Sequence, residues 1–586
     1  MAIKLSDLPN EIIYQILLCV PPASVTKVQQ VSRQFNELAQ PILWRHYCET
    51  RYTYWSSEHH IREKLSGAVA KVDWKSIFSE RHKVDRMIDR GIDSILETQK
   101  GRVKKAESIV THGYDAKDAL LRHMAVGDDA DDVLARRFYS DAVLGALHRK
   151  MAVQEWVKIR NGEQIPWEMA FATFDMFVLH ERKGDFLETK LALDQIAEQF
   201  RRTDPDFNAR PPRQKTIVLA EYLRGENLIG IERDDLYHNL QNNFIGIALQ
   251  DPKHPSLPLV SVVIFCSVAA RLGLDAQPCG FPLNVLAIVK PPSGRTLDGI
   301  ETNTSERPAP MYMDPFRSAE EVDVGDLKTQ LQSLGVAPSS FSEYLDVSSR
   351  DEMVRRCAKN ILNSIQAPPR HYGVGTIVAN HSFPEMDGAL YAALWSLLLL
   401  SDSGHEGTPL QRGRYLRFIM EKMETEYLTD VGLIEEHVLP TVLNPAERET
   451  LINTIRVVRT ADQKSKQIKR RSLDTERKVQ YKVGQVFRHK RYNYQAVVTG
   501  WDVECEADDQ WITTMNVRSL SRGQYQSFYH VLVEDKSVRY VAEENMEIID
   551  QQIGPKLMAL AGQHFKRQNG TAVEFVSNIK DEYPDN

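Results

Sequence analysis

A chain of 586 residues is long enough for several domains. Its 42% hydrophobic and 26% charged content is that of ordinary globular protein, and a net charge of −7 weighs against a general nucleic-acid binder, which carries a basic surface. Six scattered cysteines (Cys19, Cys48, Cys266, Cys279, Cys357, Cys505) include no C-x-x-C pair. That argues against a disulfide framework or a structural zinc site, and for reduced thiols in the cytosol or nucleus.

Asp7 and Glu11 interrupt the apolar start, which argues against a secretory signal. The longest apolar run, 389–400 (ALYAALWSLLLL), falls short of the ~20 residues a membrane helix needs and reads as a buried helix. No membrane association is expected.

The first stretch, residues 5–47, places Leu8, Ile12 and Ile16 four apart, and likewise Ile13 and Leu17. Together they give one short helix a broad apolar face. Pro9 suits its first turn and Pro21-Pro22 stops it. Ser24 can cap a second helix carrying Val25, Val28 and Val31. Ser32 can cap a third, with Phe35 and Leu38, ended by Pro41. Three such helices make a very small core, so two apolar faces on the first are a surplus. The surplus is to be covered by the rest of the chain or by a partner.

The segments LPNEIIYQIL, VSRQFNELA and ILW resemble an F-box, placed at 1–50. The resemblance implies that Leu8, Pro9, Ile12, Ile16, Leu17, Val28, Phe35 and Trp44 pack the F-box or meet a Skp-type adaptor. The family's role is to hang a substrate-recognition module on a cullin-based SCF ubiquitin ligase.

Residues 51–210 read as a helical linker region. Ile77, Phe78, Val84, Met87, Ile88, Ile92 and Ile95 fit one or two helices with Gly91 as a soft point. His59-His60 and His82 have no further ligands at metal-binding spacing. GDDADDV (127–133) lacks the Gly and Glu of a calcium loop and reads as an acidic turn. Ile165-Pro166 breaks a helical run, and 204–212 reads as a loop or boundary.

Residues 211–460 form the largest unit. Pro258 opens and Gly273 closes a buried helix, followed by strands at 278–289 and 311–316 around a polar loop, 290–310, and by helices at 350–366, 386–400 and 412–428. RLGL, GFP, DPF and VRRCAKNILNSI, in that order, resemble a transglutaminase-like domain of the SirB type. Such an enzyme needs a thiolate at a helix N-terminus, then a His, then an Asp. Here the helix begins Pro258, Leu259, Val260, and Leu283-Asn284 stands where the pattern has Gly-His, so only Asp314 remains. Cys266 and Cys279 are possible substitutes, with His238 and His254 as distant bases. The domain is expected to be a non-catalytic scaffold, with a cysteine hydrolase or transferase as the alternative.

Residues 461–478 are a polar, basic linker whose KRR (469–471) could serve as a nuclear localisation signal. In 479–550, VGQVFRHK, YQAVVTGWDV, QWITTMNV, FYHVLVED and VRYVAEENM read as short strands of a small antiparallel β-barrel. KVGQVFRHKRYNYQAVVTGWD, QWI and QSFYHVLVEDKSVRYVAEENM closely resemble the YccV-like family, also labelled hemimethylated-DNA-binding. By that resemblance the candidate ligand-binding residues are His489, Tyr492, Trp501, Trp511, Phe528, Tyr529 and His530, although for each aromatic core packing is the favoured reading, since a small barrel needs large side chains to fill it. The tract holds eight Lys and Arg against eleven Asp and Glu, a net −3 that suits a peptide or protein better than DNA. Residues 551–586 read as one amphipathic helix and a frayed tail.

The expected fold is therefore multidomain α+β: a helical F-box and helical region, an α+β central domain, and a C-terminal β-barrel. The expected function is substrate recognition for an SCF-type ligase, with Skp-type adaptor and cullin as partners. No catalytic residue, metal or cofactor is called for. A DNA-binding factor is the remaining alternative.

Overall fold

The computed structural model describes residues 8–38, 42–179, 183–232, 236–282, 284–301, 308–366, 384–401, 409–471, 478–535, 537–569 and 574–584. Leu283, Pro41 and parts of the 290–310 loop and 461–478 linker fall outside them. The chain divides into two compact units, Met1–Leu147 with Thr450–Asn586, and His148–Glu449.

The first unit opens with four short helices, α1 (Asn10–Leu18), α2 (Pro22–Val28), α3 (Arg33–Leu38) and α4 (Ile42–Arg51). Pro21 and Pro22 stand at the N-cap and first turn of α2, so the proline pair starts one helix as well as stopping another. Helix α2 ends at Val28, earlier than expected, and leaves Val31 outside it. Ser32 Oγ accepts the Phe35 N–H at 3.2 Å, the cap expected for α3.

A short α5 (Ile61–Ser66) leads to α6 (Trp74–Glu97), 24 residues capped by Asp73, whose carboxylate accepts the Ser76 N–H at 3.0 Å. Helix α6 runs unbroken through Gly91. A Cβ there would lie 2.9 Å from Ile109 Cδ1, so glycine lets α7 (Arg102–Val110) approach closely. Helices α8 (Lys117–Met124) and α9 (Val133–Arg160) follow.

The second unit contains α10 (Trp167–Asp175), α11 (Phe186–Thr203), α12 (Pro212–Gly225), α13 (Ile245–Gln250) and α14 (Pro258–Arg271). Helix α14 is buried from Leu259 through Ala269. Beyond it lies an antiparallel sheet of β1 (Asp275–Cys279), β2 (Leu286–Lys290), β3 (Met311–Met313) and β4 (Glu321–Val322), in that order. The stretch expected as one strand, 278–289, instead takes in the end of β1 and most of β2, which pair antiparallel as a hairpin with Cys279 opposite Leu286. Helices α15 (Val324–Ser333), α16 (Phe341–Leu345), α17 (Arg350–Gln366), α18 (Met386–Leu400) and α19 (Pro409–Thr425) complete the unit's larger elements. Helix α18 is the buried apolar run, and no described helix is long and apolar enough to cross a membrane.

After α20 (Pro445–Gln463) the first unit resumes with β5 (Val486–His489), β6 (Gln495–Asp502), α21 (Asp509–Thr514), β7 (Phe528–Val533), β8 (Val538–Ala542) and β9 (Met546–Ile548). The strands form one antiparallel sheet ordered β8-β7-β6-β5-β9. Among the described residues β8 and β9 do not pair, so the module is an open five-stranded sheet where a closed barrel was expected. QWITTMNV is helical where a strand was expected. Asp508 caps α21 by accepting the Trp511 N–H at 2.7 Å, and this cap outweighs the β-branched Ile512, Thr513 and Thr514.

The C-terminal tail is ordered structure as well. Helix α22 (Pro555–Ala561) and a hairpin of β10 (Phe565–Gln568) and β11 (Phe575–Ser577) contribute Leu557, Phe565, Phe575, Ile579 and Tyr583 to the sheet's core. Gly484, at φ +96°, makes the hairpin's docking possible, since a Cβ there would lie 2.1 Å from Phe575 O.

Candidate functional site

Helix α1 divides its apolar residues between two faces. Ile13 and Leu17 are 1% and 3% exposed, while Ile12 and Ile16 are 48% and 37% exposed. Of the other residues assigned to adaptor docking, Phe35 and Trp44 are buried, Leu8 and Val28 are half-buried, and Pro9 is exposed. Leu17, Phe35 and Trp44 thus hold the F-box together, and Pro9, Ile12 and Ile16 present a surface. Val31, expected on the second helix, is 71% exposed, and Ile42, which was not singled out from the sequence, is 55% exposed.

The inner face does not close on the F-box alone. Its core continues into Tyr52 and into Trp74, Ile77 and Phe78 of α6. Tyr47 fixes the end of α1 by donating its hydroxyl to Leu17 O at 2.8 Å and Val20 O at 2.7 Å. The surplus on α1 is therefore an outer face that its own core leaves uncovered.

In the central domain two of the three positions where a catalytic triad would stand hold Val260 and Asn284, which offer neither a nucleophile nor a base, and the third keeps Asp314. Val260 is buried in the first turn of α14, Asn284 is half-buried before β2, and Asp314 follows β3. Burial pushes the Asp314 carboxyl up, and its Oδ1 accepts the Arg317 N–H at 3.2 Å. Cys266 is sealed inside α14, where burial pushes its thiol up. Cys279 points at Tyr344 O, 3.3 Å away, and burial pushes it up to about 12. His254 Nδ1 lies 2.7 Å from Ala248 O, so this imidazole serves its own loop. A buried hydroxyl pair escaped sequence reasoning: Ser256 and Ser261 lie 2.7 Å apart and both accept the Gly230 N–H. Among the described bonds neither serine meets a histidine or carboxylate, so neither has a base.

On the C-terminal sheet the seven candidate residues separate. Trp501, Phe528 and Tyr529 are buried, the first and last in the main core and Phe528 in a satellite core beneath α21. His489 is also buried. Its Nδ1 accepts the N–H groups of Arg491 and Tyr492 at 3.1 and 3.2 Å, closing the β5–β6 turn. Burial, then Arg539 nearby, pulls its pKa down. Tyr492 is exposed on that turn.

Trp511 and His530, both partly exposed, are brought together by Tyr540. His530 stacks on Tyr540 at 4.7 Å and Trp511 lies 5.6 Å from the same ring. Beneath them sits Asp502, buried on β6. It accepts the Tyr540 hydroxyl at 2.7 Å, lies 3.2 Å from His530 Nε2, and pairs with Lys469 of the preceding linker. Burial would raise this carboxyl, but the His530, Lys469 and Tyr540 hydrogen bonds outweigh it and hold Asp502 well below the usual range. Lys469 is thereby part of the module, as is Arg471, which bonds to Tyr481 O.

Models of three families match the chain: F-box-like over 5–50, Transglutaminase-like superfamily over 188–359, and Hemimethylated DNA-binding protein YccV like over 479–572. The chain thus carries an F-box-like, a transglutaminase-like and a YccV-like domain, in this order. Over nearly its whole length it is similar to F-box only protein 21 of Pongo abelii, at 22% identity, and to the proteins of the same name from Homo sapiens and Mus musculus, each at 21%. Each alignment covers 99% of this chain and 92% of the relative. No solved structure matches the chain significantly.

Proposed function

We propose that this protein is the substrate-recognition subunit of an SCF-type E3 ubiquitin ligase, working in the cytosol or nucleus. The F-box docks a Skp-type adaptor, the adaptor links it to a cullin, and the central and C-terminal domains hold a protein substrate. The observation that carries this reading is the outer face of α1, where Ile12 and Ile16 stand exposed while Ile13 and Leu17 fill the core. The name of its relatives, F-box only protein 21, supports it.

The protein itself performs no covalent step. Val260 has no nucleophilic atom, Asn284 accepts no proton at neutral pH, and the two thiols that might replace them are buried and protonated. Its contribution is to raise the concentration of target lysines near a charged enzyme bound elsewhere on the assembly. The C-terminal module is proposed to take a protein ligand. Exposed Glu504, Glu506, Asp508 and Asp509 precede Trp511 in the chain, the wrong sign for a phosphate backbone.

Reconstitution tests the proposal. Full chain, Skp-type adaptor and cullin mixed at micromolar concentration are expected to elute together by size exclusion, and the chain lacking residues 1–50 to elute apart. Failure of the full chain to enter the complex removes the ligase reading.

A further inference from the structure

Two polar clamps grip the two ends of α6, and each ties it to a different functional part of the same unit. Towards the N-terminal end, about two turns into α6, Arg81 is completely buried. It pairs with Asp85 at 2.6 Å and Asp118 at 3.1 Å, approaches Asp115 at 3.6 Å, and lies 4.4 Å from the Tyr52 ring. Those same carboxylates hold the chain as it leaves the F-box. Asp118 accepts the Thr53 and Tyr54 N–H groups at 3.2 and 3.1 Å, and Asp115 accepts that of Ser56 at 3.0 Å. Charge-assisted bonds of this kind are the strong ones, and a buried guanidinium sharing three carboxylates does not swing freely.

At the other end, two carboxylates distant in sequence converge on the α6–α7 turn. Asp581, from the C-terminal tail, accepts the Thr98 hydroxyl at 3.1 Å and the Gln99 N–H at 2.9 Å. Asp462, at the end of α20, accepts the Val103 N–H at 2.9 Å, while its carbonyl accepts that of Gly101 at 2.7 Å. Arg102, which opens α7, reaches Asn578 O at 3.4 Å, and Tyr139 donates its hydroxyl to Gln563 O at 2.9 Å. Asp581 lies two residues from Tyr583, which packs on Trp501 in the sheet core at 5.7 Å.

We infer that α6 is a rigid strut that fixes the orientation of the YccV-like module relative to the F-box docking face, with Arg81 and Asp581 as its positioning residues. Twenty-four helical residues span about 36 Å. A helix gripped at both ends by backbone-directed bonds transmits orientation, which a flexible tether does not. The use of this rigidity rests on the docking reading: a ligand on the module would be held at a set distance from whatever the F-box binds. The strut itself does not depend on that reading.

The test is a pulsed electron–electron resonance distance between spin labels at Gln30, in the F-box, and Tyr525, on the module, in the full chain with Cys19 and Cys505 changed to serine. A second pair, Tyr492 with Tyr525, reports on the module alone. A single narrow Gln30–Tyr525 distribution is expected. The double change Asp581→Ala with Asp462→Ala should broaden it at least about twofold while the second pair keeps its width, and Asp581→Asn, which keeps an acceptor oxygen, should narrow it again. If the double variant disrupts the module, a Gly-Gly-Ser insertion after Lys100 serves instead and should broaden the same distribution. A broad distribution in the unmodified chain, or an unchanged one after the insertion, overturns the strut. Adaptor binding measured on the same variants should stay unchanged, which separates loss of the strut from failure of the docking reading.

Discussion

Trp44, in the last helix of the F-box, lies 5.3 Å ring to ring from Phe78 on α6, thirty-four residues further along the chain. The F-box therefore depends on a helix outside its own boundary. Phe78→Ala leaves a cavity against Trp44, Tyr47 and Tyr52 and should destabilise this region by about 3–5 kcal/mol. Ile12→Ala, on the exposed face, should cost no more than about 0.5 kcal/mol. Urea denaturation followed by hydrogen exchange of the F-box amides checks both.

Thiol labelling separates the scaffold from the enzyme reading. Cys266, Cys279 and Cys357 are buried, with thiols pushed up by that burial, whereas Cys19 is exposed. Mild iodoacetamide on the native chain should modify Cys19 and leave those three intact by peptide mass spectrometry. Rapid labelling of Cys266 or Cys279 would reopen the hydrolase alternative.

Asp175 gives the second unit a pH dependence. Burial pushes its carboxyl up to about 8, partly offset by hydrogen bonds from the Ile247 and Gly246 N–H groups. Its folded pKa lies above the unfolded value of about 4, so the unfolded chain ionises first. The stability it allows is complete below about pH 4 and falls as pH rises towards 8. Asp175→Asn keeps an acceptor for Ile247 and should lose less stability between pH 5 and pH 8 than the unmodified chain, measured by urea midpoints.

Asp502 works in the opposite sense. Its depressed carboxyl stabilises the module above the ordinary carboxylate range, and that stability is lost as pH falls through the folded value. Lys469→Met removes one of its three partners. The acid-unfolding midpoint of the module, followed by tryptophan fluorescence, should move to higher pH.

The residues that define the docking face were legible because helical periodicity is a local property. Ile12 and Ile16 share a face at spacing four, and so do Ile13 and Leu17, with no knowledge of tertiary structure required. Which face turns inward was not legible, since it depends on Trp74, Ile77 and Phe78 arriving from α6. The departures from a catalytic site at Val260 and Asn284 were plain as residue types. Trp511 and the stretch after it were misread because β-branched residues suggested a strand, while one side-chain cap, Asp508, decided for a helix. The tail looked frayed because its anchors, Ile579 and Tyr583, are single apolar residues among polar ones. They matter only against a core built from a distant segment.

The central claim is tested most directly by titrating purified full chain against purified Skp-type adaptor by isothermal calorimetry, unmodified and with Ile12→Asp and Ile16→Asp together. Both side chains are exposed, so the double variant should keep the unmodified thermal midpoint while its affinity falls at least about a hundredfold, more than about 2.7 kcal/mol. Adaptor binding of unchanged affinity in the double variant would contradict the assignment of this face.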